Sequence, residues 1–151
     1  MDIVRITQFT DYALRLLIYL AHHQTTFENV PMIARHFDIS SNHLMKVAQR
    51  LTKLGYIEAK PGRHGGIRLK RNPQDVIIGQ IFFEIEPLEF IEEFTCTSDD
   101  TSKGDQQLVL ILDEALQAFL NTLHRHTLDS LLSQTKKPVL PFSSSTSHMD
   151  S

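Results

Sequence analysis

Two segments of the chain concentrate side chains that can donate hydrogen bonds to phosphate oxygens and to the edges of nucleic-acid bases. The first runs from Ser40 to Lys53 and the second from Lys60 to Lys70. Cations neutralise phosphate charge, whereas amides and hydroxyls can pair with base edges. These residue types, crowded into two short segments, indicate binding to a polyanion.

In the first segment the donors fall outside an apolar stripe formed by Leu44, Val47, Leu51 and Leu54. A helix that buries this stripe presents Asn42, His43, Lys46, Gln49, Arg50 and Lys53 outward. The two serines lie at the start of that helix, where free backbone amides favour a phosphate. The predicted contacts to a DNA major groove are Ser40, Ser41, Asn42, His43 and Lys46, with Arg50 on the backbone.

In the second segment a glycine-rich turn, Pro61–Gly66, separates two strand-like runs, Tyr56–Lys60 and Ile67–Lys70. Two such runs around a turn predict a β-hairpin. The hairpin is strongly basic. Its predicted DNA contacts are Lys60, Arg63, His64 and Arg68.

The net charge of -3 hides a strong asymmetry between the two halves of the chain. Up to Asn72 the chain carries eleven Lys and Arg against five Asp and Glu, a net charge of +6, whereas the remainder carries four against thirteen. A basic half suits a polyanion, and an acidic half suits a different task such as pairing with another chain. There are two alternatives for the basic half. Its cations are ordinary solvated surface charge, or they bind an acidic surface of another protein.

Apolar residues at steps of three and four predict the helices that position these segments. The first helix spans Thr7–His22, a shorter one follows Pro31 through Phe37, and the third ends at Gly55. The second and third form a helix-turn-helix. After the hairpin, a compact helix within Val76–Glu86 ends before Pro87.

The second half of the chain contains one long helical pattern. From Gln106 to Arg125 an apolar seam predicts a dimerisation surface, followed by a short terminal helix. Its members are Leu108, Leu112, Ala115, Phe119 and Leu123. The predicted organisation is a DNA-binding domain at 1–87, a loop at 88–105, the dimerisation and terminal helices at 106–135, and a disordered tail at 136–151.

Three helices followed by a basic hairpin are the order of a winged helix-turn-helix. The predicted fold class is therefore mainly α with a small β-hairpin, comprising this domain and a long dimerisation helix. No nucleophile, base and orienting group occur at a motif spacing, so we do not expect an enzyme. The expected function is sequence-specific regulation of transcription on double-stranded DNA.

Several stretches resemble a known family, the Rrf-type bacterial winged-helix regulators that include IscR, NsrR and CymR, and are most similar to its NsrR-type members. They occur in the family's order at Phe9–Arg15, Ser40–His43, Leu54–Ile57, Gly62, Gly65–Leu69, Ile85–Leu88, Ala115–Leu120 and Thr127–Leu128. The resemblance implies a homodimer that binds a partly palindromic operator and represses transcription. The hairpin of residues 56–70 is the wing of this fold. Most family members have Arg just before the first glycine of the wing, where this chain has Pro61. Arg63 and Lys60 are the residues available to take over the contact of that Arg.

The resemblance also implies an iron–sulfur cluster held by three cysteines in the loop before the dimerisation helix. This chain has one cysteine, Cys96, and clusters typically need several sulfur ligands. We therefore expect no cofactor and no metal, and Asp11, which matches an acidic ligand in NsrR-like relatives, is expected to be a helix-surface or capping acid. The alternative is a cluster-dependent sensor of nitric oxide or redox state that uses Cys96 and Asp11.

The sequence favours the reducing cytoplasm over secretion or a membrane. A single cysteine cannot form an internal disulfide, and we recognise no secretory signal. The longest apolar stretch, Ala13–Ala21, is interrupted by Arg15 and is far shorter than the roughly 18–20 residues of a membrane span. A cytoplasmic protein without a membrane anchor is expected.

Overall fold

A computed structural model of the chain describes residues 7–86 and 103–133. These residues form six α-helices and one two-stranded sheet, which confirms the predicted fold class. In chain order the elements are α1 (Gln8–His22), α2 (Val30–Phe37), α3 (Ser41–Lys53), β1 (Ile57–Lys60), β2 (Gly66–Leu69), a 3-10 turn (Pro73–Asp75), α4 (Ile78–Ile85), α5 (Lys103–His124) and α6 (Leu128–Ser133).

Helix α1 is the centre of the core and begins at a side-chain cap. The hydroxyl of Thr7 accepts a hydrogen bond from the backbone amide of Thr10 at 3.3 Å, which satisfies one of the free amides of the first turn. Leu16, Leu17 and Leu20 are fully buried, as the apolar spacing predicts. The helix packs against α3, α4 and α6, so it supports the site from behind.

Helices α2 and α3 form the helix-turn-helix that the sequence predicts. Asn29 caps α2, Asp38 makes the turn in the left-handed region with φ of 54°, and Ser40 caps α3. Leu44, Val47 and Leu51 are fully buried. The opposite side of α3 is left to face outward.

The hairpin pairs β1 with β2 in antiparallel register, from Ile57 opposite Leu69 to Lys60 opposite Gly66. A third short segment joins it, because the backbones of Glu28 and Ile67 exchange hydrogen bonds of 2.7 and 2.9 Å. A Cβ at Gly66 would lie only 2.3 Å from the Glu28 carbonyl oxygen, so this close approach requires glycine. The wing is thus tied to the α1–α2 connection.

Helix α5 starts earlier than the sequence indicates. The loop predicted for 88–105 is wrong at its carboxyl end, because α5 begins at Lys103. Residues 103–105 contribute no large apolar side chain, so the periodicity that marks the helix could not extend to them. No helix among the described residues is both long and apolar enough to cross a bilayer.

The terminal helix returns to the winged-helix core, although the sequence groups it with the dimerisation helix. The amide of Leu128 donates to Val76 and the amide of Ile78 donates to His126, at 2.8 and 2.9 Å. The Leu128 side chain is fully buried in the same core as Leu16 and Ile81. The amino-terminal domain is therefore completed by residues near position 128.

Three predictions concern residues outside the described ranges. These are most of the 88–105 loop, the role of Cys96 within it, and the disordered tail at 136–151. They stay predictions.

Candidate nucleic-acid interface

The outward side of α3 carries a stripe of exposed donors and one thioether. Asn42, Lys46, Gln49 and Lys53 are exposed there, as the sequence predicts. Met45, which the sequence analysis did not select, lies among them with 41% of its surface exposed. Met45 lies three residues after Asn42 and four before Gln49, a spacing that places all three residues on the same side of a helix and could have predicted its position.

Two residues at the start of α3 are used within the chain. The Ser40 hydroxyl accepts a hydrogen bond from the His43 amide at 3.3 Å and so caps the helix. The His43 ring meets Tyr12 edge to face, with 5.0 Å between centroids, and lies 6.4 Å from the ring of Phe9. His43, predicted to enter the major groove, thus fastens the first turn of α3 to α1.

A second internal network holds the other end of α3. Nη2 of Arg50 donates to the Glu84 carbonyl at 3.4 Å, and the Tyr56 hydroxyl donates to the Glu84 carboxylate at 2.6 Å. Burial, and then the hydrogen bond to Glu84, raise the pKa of the Tyr56 phenol well above its usual value. The phenol is therefore neutral at ordinary pH and acts as the donor.

Arg71 binds backbone carbonyls at the carboxyl end of α3. Its guanidinium donates to the carbonyls of Leu54 and Gly55 at 3.0 and 3.1 Å and lies 4.2 Å from the centroid of the Tyr56 ring. A cation suits the last carbonyls of a helix, which carry partial negative charge. Its charge is thus engaged before any ligand arrives.

The tip of the wing is a tight turn that carries two exposed donors. The amide of Gly65 donates to the Gly62 carbonyl at 3.1 Å, and Gly62 adopts a positive φ of 104°. Between these glycines, Arg63 and His64 are both exposed. Neither side chain forms a hydrogen bond or ion pair with the part of the chain described here.

The two other predicted wing contacts, Lys60 and Arg68, lie on the hairpin beside Phe27. Two guanidinium nitrogens of Arg68 donate to Oε1 of Glu58 at 3.0 and 2.7 Å, and the guanidinium lies 4.3 Å from the Phe27 centroid. Nζ of Lys60 lies 5.6 Å from the same ring. Phe27 was not among the predicted residues, because it lies in a polar connection outside both basic segments.

A cleft of about 460 Å³ separates α3 from the wing. Its lining combines cations with small and apolar side chains, namely Met45, Lys46, Ala48, Gln49, Arg50, Thr52, Lys53, Ala59 and Ile67. A second cleft of about 270 Å³ adjoins it on the side of Gly62 and Pro31. This surface can hold an extended, negatively charged strand against α3.

The seam predicted on the long helix divides along its length into a packed carboxyl-terminal part and an exposed amino-terminal part. Phe119 meets Phe82 of α4 with 5.3 Å between ring centroids, and Leu123 packs against the core. Leu108, Leu112 and Ala115 remain exposed. Ile111, with 53% of its surface exposed, lies beside them and extends the free stripe. The predicted seam runs through Leu112 and omits Ile111, although Ile111 lies three residues after Leu108 and four before Ala115.

Asp11 forms an ion pair with Arg15 one turn along α1, at 3.0 Å. This is the helix-surface position that the sequence analysis expected. Within residues 7–86 and 103–133, no group of three or more His, Cys, Asp or Glu side chains could hold a metal ion. Cys96 lies outside these ranges.

Comparison with known families and sequences gives a consistent result. Residues 6–134 match the profile of Rrf2, described as an iron-dependent transcriptional regulator. The chain is 40% identical over 136 residues to the HTH-type transcriptional regulator NsrR of Halalkalibacterium halodurans, covering 85% of this chain and 90% of that protein. It is 39% identical over 132 residues to NsrR of Bacillus subtilis, with the same coverage.

Solved structures share the fold at lower identity. IscR of T. potens superposes with a TM-score of 0.70 at 20% identity, covering 88% of this chain and 89% of that one. CymR, the global cysteine regulator of B. subtilis, gives a TM-score of 0.65 at 21% identity, covering 87% and 98%. At these identities, the two comparisons show that the fold is shared and nothing more.

Proposed function

The chain belongs to the Rrf2 family of transcriptional regulators, and from that premise we propose that it is a homodimeric repressor that binds a partly palindromic operator. It is a DNA-binding protein of NsrR type. The proposal includes a cytoplasmic place of action, because chromosomal DNA is the ligand, and a binding rather than an enzymatic role.

One observation carries this proposal: the donor stripe of α3 faces the same cleft as the wing. Lys46, Gln49 and Lys53 line the cleft, and Arg63 and His64 project from the end of the hairpin that forms its other wall. A recognition helix with a flanking wing contacts a groove and the adjacent backbone of one duplex. We propose Asn42, Lys46 and Gln49 as contacts of α3, with Ser41 beside them, and Arg63 and His64 as contacts of the wing.

The exposed stripe on α5 supports a homodimer. Leu108, Ile111, Leu112 and Ala115 lie on one side of this helix, and they are too apolar for a surface left in water. A second copy of the same stripe satisfies them symmetrically. The two recognition helices then face successive turns of the duplex, about 34–36 Å apart.

We propose that the repressor works without a conventional iron–sulfur cluster. Such clusters are held by several thiolates, and the whole sequence provides a single cysteine, Cys96. Asp11 is engaged with Arg15. The donor set of this chain therefore does not fit the cluster that other family members are expected to hold, and no step of the proposed function depends on one.

Selection of genomic fragments by the purified protein tests the function. We expect recovery of fragments that share two inverted half-sites, protection of both from cleavage, and higher transcription of the adjacent genes when the protein is absent. Fragments without a shared site, or competition by nonspecific DNA and acidic proteins alike, contradict the proposal and favour a protein-interaction module.

An absorption spectrum of anaerobically purified protein tests the cofactor. We expect no visible absorbance, and operator affinity that does not change on exposure to nitric oxide. A brown protein whose affinity falls with nitric oxide contradicts the cluster-free proposal and supports a sensor that uses Cys96 and Asp11.

A further inference from the structure

The outer side of the wing carries a cluster of four side chains, Phe27, Glu58, Lys60 and Arg68, that we name the Phe27 cluster. Both donating nitrogens of Arg68 are directed to one oxygen of Glu58. The central carbon of the same guanidinium lies over the Phe27 ring at 4.3 Å from its centroid, and the Lys60 ammonium lies 5.6 Å from the same centroid. The charge of Arg68 is thus largely compensated inside the wing.

The strand register places this cluster away from the cleft. Side chains alternate along a strand, and Glu58 lies opposite Arg68 in the pairing of β1 with β2. Ala59 and Ile67, the intervening residues, line the cleft next to α3. A duplex held in the cleft therefore contacts α3 and the wing tip, while Arg68 lies on the far side of the hairpin.

The backbone clamps the same segment to the hairpin. Glu28, the neighbour of Phe27, exchanges two backbone hydrogen bonds with Ile67, the neighbour of Arg68. Gly66 allows this approach, since any side chain there would collide with the Glu28 backbone. A two-stranded ribbon alone is marginally stable, and a third segment with side-chain contacts restrains its angle.

We propose that Arg68, Glu58 and Phe27 are positioning residues that hold the wing at a fixed angle to α3, so that Arg63 and His64 reach the duplex that α3 contacts. This inference rests on the proposed function. It assigns Arg68 an indirect part in DNA binding, in place of the direct contact that its charge predicts.

A double-mutant cycle on the selected operator fragment tests the inference. Arg63→Ala is expected to weaken binding by about 5- to 150-fold. Arg68→Met, which keeps an aliphatic side chain but not the guanidinium, is expected to weaken binding to a similar or smaller extent. The double variant should bind more tightly than the product of the two separate losses gives, because Arg68 acts through the wing tip that carries Arg63. Losses that multiply, or wild-type affinity in Arg68→Met, overturn the inference.

Conservative variants sharpen the result. Arg68→Lys keeps the positive charge but loses the paired hydrogen bonds and the stacking, so we expect the same weakening as in Arg68→Met. Full affinity in Arg68→Lys means that a direct phosphate contact was preserved, and overturns the inference. Arg125→Met is the control and should keep full affinity, because it removes an exposed cation outside both basic segments.

A measurement without DNA separates this inference from the proposed function. In the free protein, Arg68→Met and Glu58→Gln should speed tryptic cleavage of the Arg63–His64 bond several-fold, while thermal unfolding of the whole chain stays cooperative. An unchanged cleavage rate overturns the positioning role even if the operator is bound. Failure of the wild-type protein to bind any fragment overturns the proposed function, whatever the cleavage rate.

Discussion

The arginines of the basic half differ in the acceptor that each one meets. Arg63 is exposed at the wing tip, whereas Arg68 is paired with Glu58 and Arg71 with the last carbonyls of α3. Arg50 donates to the Glu84 carbonyl. Fewer guanidinium donors are therefore available to phosphates than the number of arginines suggests, because those of Arg50, Arg68 and Arg71 are partly used within the chain.

At the residue scale, Lys46→Ala should weaken operator binding and reduce its salt dependence. Each phosphate contact contributes about 0.9 to the slope of log K against log salt concentration. We expect the slope to fall by about this amount, measured by fluorescence anisotropy between about 50 and 200 mM salt. Arg125→Ala, which removes a cation from the end of the long helix, should leave affinity and slope unchanged. An unaltered slope in Lys46→Ala contradicts a phosphate contact.

The two positive-φ glycines of the wing should respond differently to alanine. A Cβ at Gly62 meets open space, so Gly62→Ala should cost only the backbone strain, about 1 kcal/mol of unfolding free energy. A Cβ at Gly66 meets the Glu28 backbone, so Gly66→Ala should cost about 1–3 kcal/mol. Thermal unfolding measures both. Equal melting temperatures contradict the described approach of Glu28 to the hairpin.

At the scale of elements, α4 connects the recognition helix to the long helix. The Glu84 carboxylate accepts a hydrogen bond from the Tyr56 hydroxyl, and the Phe82 ring contacts the ring of Phe119 in α5 edge to face. The Glu86 carboxylate accepts from the amide and hydroxyl of Thr7 at 3.1–3.2 Å, which ties α4 to the start of α1. Three elements thus take their relative orientation from this eight-residue helix.

Tyr56→Phe tests the hydrogen bond to Glu84 without changing the packing of the ring, because it removes only the hydroxyl. We expect a loss of about 1–2 kcal/mol of unfolding free energy, the usual cost of one buried hydrogen bond. Urea denaturation at pH 7 measures it. A loss below the error of the measurement contradicts a stabilising bond between Tyr56 and Glu84.

The stability difference between the wild-type protein and Tyr56→Phe should also depend on pH. The folded chain raises the pKa of Tyr56, so the unfolded state loses its proton first as the pH passes about 10. This tyrosine's contribution to stability is therefore complete below about pH 10 and is lost as the pH rises further. The stability difference between wild type and Tyr56→Phe should shrink above that pH. A constant difference contradicts the neutral, buried phenol.

The sequence predicts these elements better than the contacts between them. Leu16, Leu17 and Leu20 place the buried side of α1 because their spacing follows the helical period. The contact of His43 with Tyr12 and the pairing of Arg68 with Glu58 depend on helix packing and strand register, which residue type and local spacing do not specify. The outward stripe of α3 was therefore predictable, whereas the internal roles of His43 and Arg68 were not.

At the scale of the whole molecule, the apolar seam of the long helix has two parts with separate roles. Its carboxyl-terminal part packs Phe119, Leu120 and Leu123 on the winged-helix core, and its amino-terminal part leaves Leu108, Ile111 and Ala115 exposed. Helix α4 approaches closely only because Gly79 has no Cβ, which would collide with His124. The dimer that we propose therefore rests on a helix already fixed to its own subunit.

Leu108→Asp should convert the proposed dimer to a monomer and weaken operator binding. A carboxylate buried in an apolar interface lacks a partner and is strongly unfavourable. Sedimentation equilibrium measures the mass. Leu110→Asp is the matched control, since Leu110 is 63% exposed and lies about 200° around the helix from Leu108. Equal masses for the two variants contradict the assigned interface.

The burial of Leu128 among residues of α1 and α4 has a consequence for synthesis on the ribosome. Domains fold as units while the chain grows from its amino terminus. Here the first domain lacks the core residue Leu128 until the last of the described helices is being synthesised. We therefore expect that a nascent chain cannot complete the DNA-binding domain before Leu128 is made, and that a chain truncated before this residue is more sensitive to proteases than the full chain.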